Sequence, residues 1–273
     1  MYETFDYNKT VEKLRRFFKD AKGFIEVPTQ SRLSILAACE DPKTIAQFNF
    51  DGIDYPLPQT GQMWLEHELL TNPDVDGFFC VSTSYRNEPN PIDGRHQKIF
   101  PMFEFETKGN MKDMIKLEEE LLEFLGFEKD SVHCTYDGLC DRYETDILEA
   151  EHEERMNKEI SSKLFLKNFP KRTHPFWNME ENPVKGIFHK VDVILHGQET
   201  IGSAERSCDK DVMRYNFLNQ TDGEYSELLF RRFGKNRVMQ ELDKFLSYDF
   251  FPRFGGGIGV NRMARALKLE GII

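Results

Sequence analysis

The sequence is poor in the features that mark secreted, membrane-spanning or disordered chains. Its five cysteines, Cys39, Cys80, Cys134, Cys140 and Cys208, include no CxxC pair and are odd in number. That pattern excludes a disulfide framework and a structural zinc site, and leaves reduced thiols. No apolar run approaches the ~18 residues of a spanning helix, and the first residues, Met1 to Asp6, lack the basic and apolar regions of a signal peptide. The expected address is the cytoplasm, with no membrane partner. Positive charge is also in deficit: 36 Lys+Arg against 47 Asp+Glu leave a net charge of -11. Phosphate backbones are therefore repelled on average, and any nucleic-acid contact has to be local. Repeats, low-complexity tracts and linkers are missing, so one domain, 1–273, is expected.

Apolar and aromatic residues are plentiful. At 39% hydrophobic with 24 phenylalanines the chain is too rich for disorder, and its length suffices to bury roughly three quarters of the unfolded surface. Residues 7–22 carry Val11, Leu14, Phe17, Phe18 and Ala21 at helical spacing, with Gly23 where a helix would stop. A short strand is expected at 24–28, a turn at Asp51-Gly52, and a helix at 61–70. Two strand-like stretches, 77–86 and 99–106, bracket a Pro- and Gly-containing loop at 87–98, the pattern of an antiparallel hairpin with a long connection. Further on, 111–125 predicts a helix ended by Gly126, the charge-dense 141–158 a solvated helix, 186–197 a strand, and 230–246 a helix broken at Gly234. A glycine-rich strand or turn from Phe254 runs into a terminal helix. Strands grouped with flanking helices, without βαβ alternation, predict an α+β fold with an antiparallel sheet flanked by helices.

Three clusters could carry chemistry. Arg86, Glu88, Arg95, His96, Phe100 and Glu104 gather around the hairpin, with Arg86 and Glu88 expected on one strand face. Arginine forks match phosphate oxygens and an aromatic ring stacks on a planar base; edge-strand ion pairs around a buried Phe are the alternative. Asp192 and Glu199, followed by Gly202-Ser203-Ala204-Glu205-Arg206, suit Mg²⁺ held together with substrate phosphates, or else form a solvent-facing turn. Gly255-Gly-Gly-Ile-Gly259 followed by Arg262 permits close backbone approach, but no βαβ unit follows to make a dinucleotide site.

In their order and spacing the three clusters resemble the catalytic domain of class II aminoacyl-tRNA synthetases over nearly the whole chain. Gly23 to Thr29 resembles the first signature motif, Tyr85-Arg-Asn-Glu88 through Glu106 the second, and Gly255 to Arg262 the third. The resemblance is closest to the aspartyl, asparaginyl and lysyl subgroup and the ammonia-dependent asparagine synthetases that share its domain. Thr60 to Glu66, Phe169-Pro170 with His174 to Phe176, and Gly202 to Arg206 resemble segments of the asparaginyl enzymes. The resemblance implies that Arg86 meets the α-phosphate of ATP and the amino acid's carboxylate, that Glu88 lies near the adenine, and that Phe100 and Arg262 sandwich it. It implies Arg95 or His96 at the outer phosphates, Glu199 with Asp192 at Mg²⁺, Gln62 at the amino acid's ammonium group, and Arg206 at its side chain. A salt bridge from Arg206 to Glu205 or Asp209 is the alternative for that last residue. Ile99, Gln30, Leu65 and a longer 89–94 loop depart from the subgroup's pattern.

No counterpart of the subgroup's oligonucleotide-binding barrel precedes Tyr2, so the core is expected to stand alone. The resemblance then implies an ATP-dependent, AMP-forming ligase that activates aspartate or a close relative and passes the acyl group to a small amine such as ammonia. Transfer to tRNA or a protein side chain is the rival enzymatic reading, with tRNA not favoured, and a catalytically silent regulatory paralogue is the reading of another class. A homodimer paired through 7–22 and 24–27 is also implied.

Overall fold

The computed structural model describes residues 3–38, 42–92, 97–182, 184 and 186–273. Its strands are β1 Ile25–Glu26, β2 Gln47–Phe50, β3 Ile53–Pro56, β4 Gly77–Tyr85, β5 Ile99–Lys108, β6 Val132–Thr135, β7 Lys163–Pro170, β8 Glu181–Asn182, β9 Ile187–Leu195, β10 Gln198–Arg206 and β11 Arg253–Gly259. The α-helices are α1 Thr4–Arg15, α2 Gln62–Thr71, α3 Met111–Leu125, α4 Tyr136–Tyr143, α5 Ala150–Glu159, α6 Lys210–Asn219, α7 Glu224–Phe233, α8 Lys235–Leu246 and α9 Val260–Leu269. Among the described residues a nine-stranded sheet runs β1-β4-β5-β11-β10-β9-β7-β6, with β8 added on β9, and β2 pairs with β3 in a separate hairpin.

The fold is α+β, with helices flanking the sheet. The pairings from β4 through β7 are antiparallel. At the two edges β1 lies parallel to β4 and β6 parallel to β7, which adds two parallel pairs to the expected antiparallel sheet. Both edge pairs are joined through helices, α2 in one case and α4 with α5 in the other, and such crossovers bring the chain back in the same direction.

Local signals account for several elements. Asp51 (φ 52) and Gly52 (φ 78) both take the left-handed conformation that a two-residue hairpin turn requires. On α3 the Asn110 side chain accepts from Lys112 N at 2.9 Å and Asp113 returns to Asn110 N at 3.0 Å, while Gly126 ends the helix at φ 110. Gly234 separates α7 from α8 at φ 86.

Other expectations are corrected. The 7–22 helix begins earlier, at Thr4, and its last turn, Arg16–Ala21, widens into a π-helix. Val11, Leu14, Phe17 and Phe18 of its apolar stripe lie in the chain's own core, where the Phe18 ring centroid is 4.9 Å from that of Phe105 and 5.1 Å from that of Phe103, while Ala21 is exposed. The charged segment 141–158 is two elements: Glu144 (φ 53) stops α4 and Glu149 caps α5. Tyr136, Leu139, Cys140 and Tyr143 dock α4 in a core cluster with β7. Residues 202–206 form no turn but the end of β10, paired with β11 throughout and with β9 as far as Ala204. Cys80, Cys134, Cys140 and Cys208 are free thiols, and among the described residues no helix is long and apolar enough to cross a membrane.

Glu118 lies on the buried face of α3, where its carboxyl is enclosed and the nearby Ser203 hydroxyl favours its ionised form. Burial pushes its pKa up to about 8, and the charges of Asp192 and Glu119 push in the same direction. A carboxyl raised in the folded state contributes stability fully present below its unfolded pKa near 4.5, and lost as pH rises toward about 8. Glu118→Gln is therefore expected to melt with the parent near pH 5 and to exceed it by about 1 kcal/mol or more at pH 8. Parallel melting curves at both pH values would contradict this.

Candidate active site

The site grows out of one sheet face, and the glycine run of β11 makes it possible. Gly255 pairs with Glu106 of β5 on one side and Ala204 of β10 on the other. A Cβ at Gly255 would stand 1.7 Å from Glu106 Oε2, and one at Gly257 2.7 Å from Met102 Cε. The run is extended strand, with none of the positive φ values expected of a turn. Its glycines clear a path for side chains of β5 to reach β10 across the strand between them.

Arg206 uses that path. Its Nε and Nη2 donate to Glu106 at 3.2 and 3.1 Å, and Nη2 also donates to Gln62 Oε1 at 2.9 Å. Neither acidic neighbour weighed as its partner fills that place. Glu205 instead receives His189 Nδ1 at 2.8 Å and Met111 N at 2.9 Å, and Asp209 caps α6. Beside this pair Glu66 of α2 accepts Arg253 at 3.0 and 2.7 Å and Asn178 Nδ2 at 2.6 Å. Glu66, Glu106, Arg206 and Arg253 are all at most 2% exposed. Burial pushes Glu106 up to about 7 against the pull of Arg206. Glu104, also buried and raised by burial, accepts Gly61 N at 2.8 Å and the Thr60 hydroxyl. It thereby fixes the start of α2, which carries Gln62 and Glu66.

Gln62, Glu66 and Arg206 line a cavity of about 820 Å³ that also reaches Asp192, Lys190 and Phe176. A second, of about 480 Å³, is lined by Glu88, Phe100 and Arg262. Arg86, Glu199 and Gly202 wall both, so the two form one continuous cleft. Arg86 does not share a strand face with Glu88 as expected. Arg86 N closes the last rung on Lys98 O at 2.7 Å, and Asn87 N turns away to Thr44 O at 2.8 Å, taking the chain out of the sheet. The Arg86 guanidinium lies 5.5 Å from the Phe100 ring centroid. Arg95 and His96 lie outside the described residues.

Asp192 and Glu199 do converge. A bulge at Thr200 sets Glu199 opposite Ile194 while Gly202 stays opposite Asp192, and one extra residue of this kind moves Glu199 onto the face of Asp192. Glu199 Oε1 and Asp192 Oδ1 lie 2.9 and 3.6 Å from the point a Gly202 Cβ would occupy. Glu199 is held by its backbone, N to Glu153 Oε2 at 2.7 Å and O from Arg262 Nη1 at 2.6 Å. Asp192 is pushed up to about 7 by burial, against Lys190 and with Glu199. Among the described residues no cluster of three or more His, Cys, Asp or Glu could hold a metal unaided.

Sequence reasoning missed Glu66, Glu106, Arg253 and Lys190. The available signal was Glu104 and Glu106 two apart on an otherwise apolar strand, a placement that buries both.

Residues 1–271 match the family profile described as tRNA synthetases class II (D, K and N). The chain belongs to that family. This synthetase core is 29% identical over 119 residues to the lysine–tRNA ligase of Aliarcobacter butzleri (strain RM4018), covering 43% of this chain and 23% of that protein. It is 25% identical over 154 residues to the aspartate–tRNA ligase of Clostridium novyi (strain NT), covering 54% of this chain and 25% of that protein. The matches thus span about a quarter of each of these relatives. In fold it is similar to the asparaginyl-tRNA synthetase of Pyrococcus horikoshii complexed with asparaginyl-adenylate: TM-score 0.76, 21% identity, 98% of this chain and 66% of that one. The Entamoeba histolytica asparaginyl enzyme, also with asparaginyl-adenylate, gives 0.74 at 17% identity, over 97% of this chain and 63% of that one. These findings overturn the expected small-amine acceptor. The family and these relatives are named as tRNA-charging enzymes, and the net charge of -11 behind that expectation is an average that says nothing of a single groove.

Proposed function

We propose that this synthetase core activates asparagine, with aspartate as the runner-up, by ATP and passes the acyl group to a tRNA. The carrying observation is the position of Arg86, on the wall shared by a polar cavity that holds Gln62 and Arg206 and a cavity lined by Phe100 and Arg262. There it would neutralise both the attacking carboxylate and the α-phosphate. The carboxylate oxygen forms a bond to the α-phosphorus, the bond to the bridging oxygen breaks, and pyrophosphate leaves with the electron pair. Positioning and charge neutralisation are the main demands of such a displacement. Phe100 would stack the adenine with Arg262 across from it, Glu88 would lie at its edge, and Gln62 would receive the amino acid's ammonium group.

The residues present fit Mg²⁺. Two hard oxygen donors converge, and Asp192 Oδ1 is buried without a hydrogen-bond partner. Asp192 and Glu199 would hold the ion with phosphate oxygens, and the bound ion would offset the phosphates' charge.

One observation supports an amide side chain. Glu66 and Glu106 already balance Arg206 and Arg253, so a third carboxylate would bring unbalanced charge into a buried lobe.

ATP–pyrophosphate exchange with asparagine, aspartate and lysine in turn tests this reading. Exchange is expected with asparagine first, together with AMP release that depends on tRNA. Exchange with none of them, or with lysine alone, would reject it. Arg206→Lys, which keeps the charge and loses the fork, is expected to raise the KM for the amino acid by roughly tenfold or more with little change for ATP. Equal change for both substrates would assign Arg206 a structural role.

A further inference from the structure

Lys190 belongs to none of the roles above, yet it reaches into the same cleft. It stands two residues before Asp192 on β9, on the same face of the sheet. Its Nζ donates to Asp192 Oδ2 at 2.7 Å and lies 3.8 Å from the centroid of the Phe169 ring. A backbone irregularity at Asn168 (φ 63), where the β7–β9 register shifts, brings Phe169 beneath the ammonium. Both charged side chains are mostly covered, Lys190 at 22% and Asp192 at 11% exposed. Asp192 is therefore divided: Oδ2 is taken by Lys190, while Oδ1, buried and without a hydrogen-bond partner, lies on the Gly202 side with Glu199 Oε1. Glu153 adds a third carboxylate nearby, whose oxygen is engaged by Glu199 N.

We infer that Lys190 is a resident counter-charge on the carboxylate pair, positioning Asp192 and keeping the pair from capturing a divalent ion that arrives without nucleotide. This rests on the reading that Asp192 and Glu199 hold the ion. Arg262 Nη1 lies 3.7 Å from Glu199 Oε2, so each carboxylate of the pair already faces a cation, and Lys190 supplies the one on Asp192. A cation within a few ångströms of a metal-binding oxygen opposes the incoming ion by Coulomb repulsion, and this costs most where water is largely excluded. The nucleotide's phosphates then supply the negative charge that the pair withholds. An ion would dock as part of a metal–nucleotide complex, and a bare ion would not be held against the buried carboxylates.

Manganese binding to the nucleotide-free protein, read from the paramagnetic resonance of the remaining free ion, tests this without reference to activity. The parent chain is expected to bind Mn²⁺ weakly, Lys190→Met roughly tenfold more tightly or better, and Lys190→Arg like the parent, because the charge returns. Lys190→Gln is measured beside Lys190→Met, with thermal melts to confirm folding, so that one misfolded variant leaves the comparison intact. Asp192→Asn in the Lys190→Met background is expected to abolish the gain. Unchanged or weaker Mn²⁺ binding in both neutral variants, with the double variant weaker still, would overturn the role of Lys190 and leave the metal reading standing. A gain that survives Asp192→Asn would place the ion elsewhere and overturn both.

Discussion

Arg86→Ala is expected to lower amino-acid-dependent ATP–pyrophosphate exchange by about two orders of magnitude or more, while leaving the melting temperature close to that of the parent. Removing one preorganised charge aimed at a reacting oxyanion costs about 3 kcal/mol or more of transition-state stabilisation. The backbone at Arg86 is fixed independently of its side chain. It lies past the end of β4, and the bonds that place it, Arg86 N to Lys98 O and Asn87 N to Thr44 O, are made by the backbone and survive the substitution. Its side chain, against Phe100 and on the wall of both cavities, is what alanine removes. Arg86→Lys restores charge without the fork and should recover only part of the rate. Near-parent exchange in Arg86→Ala would remove Arg86 from the chemistry, and a large fall in melting temperature would assign it to the fold.

The second large effect is on stability. Arg253→Met is expected to destabilise the chain by about 3–5 kcal/mol, because it strands the Glu66 carboxylate in the interior. Arg253 and Glu66 are both fully buried, and the guanidinium also donates to the carbonyls of Ser207 at 3.2 Å and Phe251 at 3.4 Å. The desolvation penalty belongs to the unpaired charge, not to the loss of attraction alone. Replacing both members, Arg253→Met with Glu66→Leu, should therefore recover a substantial part of the loss, since a buried ion pair is often no more stable than apolar residues of similar size. Urea unfolding of the parent, each single variant and the double variant measures the coupling. Strict additivity would show that the two side chains do not act as a pair. The double variant is still expected to lose activity, because Glu66 lines the larger cavity and holds the buried Asn178 beside it.

The two predictions fall on residues of different legibility. Arg86 was visible in the sequence because the features that single it out are local: a strand end, a polar loop, and Phe100 at the start of the returning strand. Glu66 and Arg253 were not visible, because they meet across 187 positions. Nothing in the neighbourhood of either announces the other. The same holds for Glu106 and Arg206, 100 positions apart. Read along the chain, the apolar strand around Glu106 hints at burial, and only the packing of α2 and β5 against β10 and β11 shows which cation each carboxylate meets.

The sequence by itself determined what short-range physics controls. The helix stops at Gly126 and Gly234, the left-handed turn at Asp51-Gly52, the strand character of 77–86 and 99–106, and the family resemblance carried by Arg86, Phe100, Glu199 and Arg262 all follow from residues near one another in the chain. Tertiary structure alone decided which faces those elements present. A single bulge at Thr200 put Glu199 beside Asp192, and the absence of side chains along Gly255 to Gly257 let Glu106 reach Arg206. Lys190, one more surface charge in the sequence, became the partner of a buried carboxylate. The physical reason is that side-chain direction in a sheet alternates with every residue, so register and bulges set by distant strands determine whether a charge meets water or another charge.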